Sequence, residues 1–177
     1  MNNPTHLLDV MTSFLTVACA CLEDTPNGAP EECFISHGPP AFDCCNLLAV
    51  WVERIRPSHG FGEGQYQTGG KLWDRCCELN SVADIGIRLL RPCYPGLVDN
   101  PRNPFPGAEK IHGASSDLLI DIWVLECCLS QAACDGVLFP PGTNCLELGI
   151  GHASPVQPDG GCAGWTWELT VELDTCC

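Results

Sequence analysis

The sequence predicts an α+β domain: an antiparallel sheet of about four strands with two helices on one face, in the order α-β-β-α-β-β, joined by long Gly/Pro-rich loops. Three observations carry that prediction. The C-terminal segment alternates strictly, with Trp165, Trp167, Leu169, Val171 and Leu173 on one face and Thr166, Glu168, Thr170, Glu172 and Asp174 on the other, as a half-buried antiparallel strand requires. Two earlier runs, Asn46 to Arg56 and Val82 to Arg91, have strand composition and are joined by a long glycine-rich segment, the pattern of a hairpin with an extended tip. Between these features, Ser115 to Cys134 is apolar on most of a helical surface.

The elements follow in order. Asn3 is placed to cap a first helix, with Pro4 at its first position, where the missing proline N–H would have had no partner in any case. Leu7, Leu8, Met11, Leu15 and Ala18 then recur at helical spacing beside Phe14, and the helix is expected to run to about Cys21. Residues 23–43, with Pro-Asn-Gly and Gly-Pro-Pro, read as a loop, as do 57–74, 92–114 and 135–144. Leu47 to Val52 is too short and too β-branched to prefer helix, and Arg54 and Arg56 mark its emergence into water. Ala83, Ile85, Ile87 and Leu89 alternate with Asp84, Gly86 and Arg88 in the second strand. Five prolines lie between Pro92 and Gly113. Ser115 or Ser116 is the expected cap of the central helix, and Asp117 and Asp121 suit its positive end. Leu146, Leu148 and Ile150 alternate as a third strand, and Pro155 to Gly161 is expected to turn the chain into the last.

A chain of 177 residues is one domain and buries an ordinary core unaided. Its 22 Asp and Glu against 8 Lys and Arg give a formal charge of -14, which repels phosphate backbones and argues against gripping nucleic acid. Like charge does suit a surface past which DNA must slide. The apolar stretch from Thr5 to Ala20 lacks a preceding Lys or Arg, is interrupted by Asp9 and Thr12, and is too short and polar to span a bilayer. The expectation is a protein that engages no membrane.

Fifteen cysteines would mean a disulfide scaffold in a small secreted protein, but this chain is larger and the count is odd. Cys44-Cys45, Cys76-Cys77, Cys127-Cys128 and Cys176-Cys177 are adjacent doublets, whose side chains diverge by about 100° on a helix and by more on a strand. No C-x-x-C pair occurs; Cys19-Ala20-Cys21 and Cys145 with His152 come nearest. No metal and no cofactor is therefore expected. A few disulfides, with the remaining cysteines as small buried hydrophobes, is the expected use.

Catalytic patterns are absent from the sequence: no H-E-x-x-H, no G-x-S-x-G and no strand-to-helix G-x-G-x-x-G. Gly69-Gly70-Lys71 fails as a phosphate loop because Gln65 stands in place of its first glycine and Leu72 in place of its Ser or Thr. The five histidines lie in the first helical turn or in Gly/Pro-rich segments, and Glu31-Glu32 reads as loop charge. No catalytic residue is nominated, and the chain is expected not to be an enzyme. Trp165 and Trp167, with Trp51 and Trp123, are candidates either for the core or for a subunit interface.

Two segments carry a resemblance. Asp43-Cys44-Cys45 followed by Leu47 to Arg56, and Pro155-Val156-Gln157-Pro158-Asp159-Gly160-Gly161-Cys162-Ala163-Gly164 leading into the last strand, resemble the tail terminators, cysteine-bearing neck proteins of long-tailed (siphovirus-type) actinobacterial bacteriophages. The likeness extends to element order over nearly the whole chain, so 1–177 would be a single tail-terminator-like domain. It implies a structural virion protein that forms a ring, typically a homohexamer, capping the tail tube and joining it to the head-side connector. The partners implied are further copies of itself, the head-to-tail stopper or connector protein and the major tail tube protein, with DNA passing through the lumen without specific binding. Localisation would be the virion tail and neck, after assembly in the host cytoplasm, with disulfides forming once the particle has left the reducing cell. Glu168, Glu172 and Asp174 are the candidate lumen-facing residues, and the segments Ser58 to Asp74 and Pro92 to Gly113 the candidate arms to neighbouring rings. Two alternatives stay open: another neck or tail protein, either the stopper or a tail-tube subunit, and, from a different class, a small thiol or redox enzyme using one cysteine pair.

Overall fold

The computed structural model describes residues 6–40, 46–58, 80–92, 108–139, 145–159 and 162–173. The elements are α1 (His6–Leu22), β1 (Glu32–Ser36), β2 (Leu47–Ser58), β3 (Asn80–Pro92), α2 (Ala108–Cys134), β4 (Cys145–Asp159) and β5 (Cys162–Leu173). They form a five-stranded sheet in the order β1-β2-β3-β5-β4. The class is α+β, as the periodicities indicate. The sheet differs from expectation in having a fifth strand and in being mixed, because β1 pairs with β2 in parallel whereas every other neighbour is antiparallel.

Three boundaries moved for physical reasons. The segment Glu32–Ser36 sits inside the expected 23–43 loop, too short and too closely flanked by proline to show a period, yet it completes the sheet edge beside Leu47 to Trp51. The central helix begins at Ala108, not at Ser115, because the last of the five prolines is Pro106 and the Ala-Glu-Lys-Ile that follows Gly107 favours helix. Strand β4 runs on to Asp159 through the expected turn at Pro155; as an edge strand it tolerates prolines, and register shifts break its pairing with β5 at three places.

One face of the sheet carries both helices. Leu48 and Val50 of β2, Ile85, Ile87 and Leu89 of β3, and Trp167, Leu169 and Val171 of β5 meet Val10, Met11, Phe14, Ala18 and Leu22 of α1 and Ile122, Leu125, Leu129 and Ala132 of α2. The α1 stripe is rotated from the one the spacing suggested, so that Leu8 is exposed while Val10 and Leu22 are buried. The Cys21–Cys128 disulfide and the edge-to-face contact of Phe14 with Phe139 show that the two helices run in opposite senses. A second disulfide, Cys19–Cys33, ties the last turn of α1 to β1, and Cys162 at the start of β5 is also disulfide-bonded.

A buried charge sits in this apolar layer. Arg91 follows Ile85, Ile87 and Leu89 on the helix face of β3, and its side chain is 4 % exposed. Its Nε donates to Oδ2 of Asp121, which is 0 % exposed on α2, at 2.9 Å. One terminal nitrogen donates to the Asn46 side-chain oxygen and the other to the Gly28 carbonyl oxygen at 2.6 Å, while Asn27 Nδ2 donates to the same Asp121 oxygen at 2.9 Å. Asn46 holds a left-handed φ of 73°, a conformation asparagine tolerates better than most residues. The Asn46 N–H donates to the Leu90 carbonyl, and its own carbonyl accepts from the Glu31 N–H. Arg91 therefore joins the α1–β1 turn, the start of β2, the end of β3 and α2.

Removing one partner of this pair strands a buried charge. Arg91→Met and Asp121→Ala are each expected to lose about 3–5 kcal/mol in urea unfolding, while the paired apolar replacement Arg91→Met with Asp121→Leu is expected to lose less than either single change. Additive losses in the double variant would refute the coupling. The disulfides constrain the unfolded chain over sequence separations of 14 and 107 residues. On the chain-entropy account, losing them costs about 3 and about 4.7 kcal/mol respectively, so Cys128→Ser should lower the thermal midpoint more than Cys33→Ser.

Candidate functional site

The sheet face away from the helices is organised in cross-strand rows. At one end Leu47, Ala49 and Leu90 form a small apolar cluster with Phe34 and Val156. In the middle Trp51, Gly86 and Glu168 stand in register, and beside them Arg88 pairs with Thr166. The Trp51 ring lies over Gly86, where an added methyl group would collide with it, so glycine there is a requirement of the packing. The Arg88 guanidinium is stacked 5.4 Å from the centre of that ring and donates to Thr166 Oγ1 at 3.0 Å and to the Pro40 carbonyl at 3.2 Å.

The far end is charged. A bulge between Val52 and Arg54 brings Arg54 opposite Asp84 and Arg56 opposite Val82. Arg54 Nε donates to Asp84 Oδ2 at 2.9 Å, Arg56 reaches both carboxylate oxygens at 3.4 Å, and Thr170 Oγ1 donates from β5 at 3.2 Å. Half of the chain's Lys and Arg, namely Arg54, Arg56, Arg88 and Arg91, thus lie on two adjacent strands, and Asp84 and Asp121 each face at least one of them. A carboxylate held by two guanidiniums is a poor proton carrier, so this cluster is built to fix strands β2, β3 and β5 together and not to exchange protons.

Four of the five tryptophans lie among the described residues, and they separate. Trp51 and Trp167 are core, at 1 % and 0 % exposure, and neither indole N–H has a hydrogen-bond partner among the described residues. Trp165 is half-buried against the helix-side core. Trp123 is the opposite case, 70 % exposed on the outer side of α2 with Leu119 at 58 % and Ile120 at 42 %. The free cysteines Cys127 and Cys134 are exposed on the same helix, which corrects the expectation that unpaired cysteines are buried hydrophobes. Of the acidic row proposed for a lumen, Glu168 is exposed, but Glu172, opposite Val82, is 3 % exposed and so is not part of a water-facing row; Asp174 lies outside the described residues. The doublets at 44–45, 76–77 and 176–177, and most of the two candidate arms, also lie outside them.

Among the described residues no group of His, Cys, Asp or Glu is placed to hold a metal ion, and no helix is long and apolar enough to cross a membrane. No protein-family model matches the chain, and no curated protein matches it.

Asp84 gives the charged end of the sheet a pH dependence. Burial opposes its charge and on its own raises the carboxyl pKa, but the bonds from Arg54, Arg56 and Thr170 outweigh it and hold the value below 3.8. A carboxyl depressed in the folded state stabilises fully above its unfolded value, and that contribution is lost as pH falls through the folded one. Arg54 is 66 % exposed, so salt screens part of its share. Asp84→Asn should therefore lower stability at neutral pH and flatten the decline of the unfolding midpoint below about pH 4. A decline as steep as in the unaltered protein would exclude Asp84 as its source.

Proposed function

We propose that this chain is a structural assembly subunit of a phage neck, a tail-terminator-like protein that closes into a ring over the end of the tail tube and joins it to the head-side connector. The observation that carries assembly over catalysis is the outer surface of α2. Trp123, Leu119 and Ile120 are left in water by a fold that buries Trp51 and Trp167 completely. Exposed aromatic and aliphatic groups set together mark surfaces that another protein covers. The resemblance of the Pro155–Gly164 segment and of the element order supplies the particular role.

Charge supports the same reading. A net charge of -14 weakens any hold on DNA, and the exposed Glu168 on the sheet face away from the helices adds to a surface on which DNA slides. The engaged cysteines fit a protein that folds in a reducing cytoplasm and is crosslinked later, since disulfides form after release into an oxidising medium. The stopper and tail-tube alternatives differ in how copies associate: a terminator closes, whereas a tube subunit polymerises without limit.

Native mass spectrometry of the purified 19.1 kDa chain is the direct test. A single closed species, with a hexamer as the expected mass, supports the terminator role, and filaments of unlimited length support the tube subunit instead. Particles lacking the protein should appear in negative stain as full heads apart from tails of irregular length. Normal joined particles would overturn the assignment.

A further inference from the structure

We infer that the outer stripe of α2 is a self-docking surface, on which a second copy of the same helix packs antiparallel about a two-fold axis near Leu125. Ser116, Ile120, Trp123, Cys127, Ser130 and Cys134 follow one another at alternating spacings of four and three residues, the a/d pattern of a helix seam, and all six are exposed. The stripe is divided by size. Its bulky members, Ile120 and Trp123 with Leu119 alongside, occupy the N-terminal half, and its small members, Cys127, Ser130 and Cys134, the C-terminal half.

That division selects the occupant. Antiparallel pairing about residue 125 sets Trp123 over the partner copy of position 127, Ile120 over that of position 130 and Ser116 over that of position 134, so each large side chain meets a small one and the fit is satisfied twice by symmetry. Parallel pairing would stack the two indoles on each other and leave the small half loosely packed. The Trp123–Cys127 contact sets a thiol against an aromatic ring, a favourable pairing. Charge opposes the contact and sets its salt dependence: the six stripe residues are uncharged, but two copies at -14 repel and the exposed Glu126 beside Cys127 approaches its own copy near the axis. A basic partner would instead be drawn to the acidic surface and would not require an uncharged seam. One helix pair is below the size of a stable standard interface, which makes this a weak, concentration-dependent contact that strengthens as salt rises.

A two-fold contact does not by itself close a ring, so the inference goes beyond the proposed role: it joins two rings through α2 where rings form, and makes pairs where they do not. The test uses the full chain with Cys127→Ser and Cys134→Ser, to which Ile120→Cys and Ser130→Cys are added. Oxidation by oxygen with copper-phenanthroline, which takes one hydrogen from each thiol, should give a species of twice 19.1 kDa on a non-reducing gel. Ile120→Cys alone should not crosslink above the level of the Cys127→Ser, Cys134→Ser background, which keeps the other cysteines, because its two copies would lie about 15 Å apart along the axis. Crosslinking of that single variant would indicate a parallel pair and overturn the inference, as would its absence from the double variant. Trp123→Glu, with circular dichroism unchanged, should abolish association through α2, and a crosslink persisting in that background would also overturn it. The crosslink reports the two-fold contact and the mass of the closed species reports the ring, so either can fail alone.

Discussion

The structure turns on one buried ion pair. Among the described residues, Arg91 and Asp121 are the two charges placed inside the layer between sheet and helices, and each is almost wholly removed from water. Desolvating two such groups costs several kcal/mol apiece, and the bonds they make offset it: all three guanidinium nitrogens of Arg91 donate and Asp121 Oδ2 accepts twice, while Asp121 Oδ1 is buried without a partner among the described residues. Arg91 spends its guanidinium on Asp121, Asn46 and Gly28, three groups on three different segments. The consequence is positional. An apolar contact would allow α2 to slide or rotate on the sheet, whereas a fork of hydrogen bonds fixes one orientation. It also holds Asn46 in its left-handed conformation, and through the Asn46 backbone the short parallel strand β1 is placed beside β2. Cys19–Cys33 then fastens β1 covalently to α1.

The two faces of the sheet follow opposite rules as a result. The helix face is filled by interdigitating aliphatic side chains and, among the described residues, takes charge where Arg91 meets Asp121. The other face grades from an apolar cluster at Leu47, through the Trp51–Arg88 stack, to the Arg54–Asp84–Arg56 group. Polar side chains there bond across strands: Arg88 to Thr166, Thr170 to Asp84. Such cross-strand pairs stiffen a sheet without requiring a second layer of helices. The face away from α1 and α2 is thus braced by the bonds between its own strands.

How far this was legible depends on whether a segment's periodicity had competitors. The last strand alternates between apolar and polar without a break, so its two faces were readable from the sequence, and the same holds for Ala83 to Leu89. The phase of α2 was not readable, because Leu118 to Leu125 is apolar nearly all round and any of several faces could have met the sheet. Asp121 settles that phase; its place six residues after Ser115 suits a dipole-favouring acid near a helix start, whereas the helix begins thirteen residues before it, at Ala108. A signal for its true role existed. Arg91 shares parity with Ile85, Ile87 and Leu89, which places a charge on the core face of β3, and a core-facing arginine requires an acid on whatever packs there. β1 could not be found in the same way, since five residues flanked by proline carry no period. Glu172 shows the limit of alternation, which assigns a side of the sheet but not its depth.

Fixing α2 by its inner side determines what is left on its outer side. With Asp121 bonded to Arg91 and Cys128 bonded to α1, the rotation of the helix is set at two points about two turns apart, and Trp123 and Cys127 must project outward between them. The exposure of Trp123 is therefore not a loosely packed residue awaiting a better rotamer. Burying it within the chain would require turning α2 by more than a quarter revolution, breaking the ion pair and straining the disulfide. A core specified this tightly cannot absorb the surface by rotating α2, so Trp123 stays outside the packing of α1, α2 and the sheet.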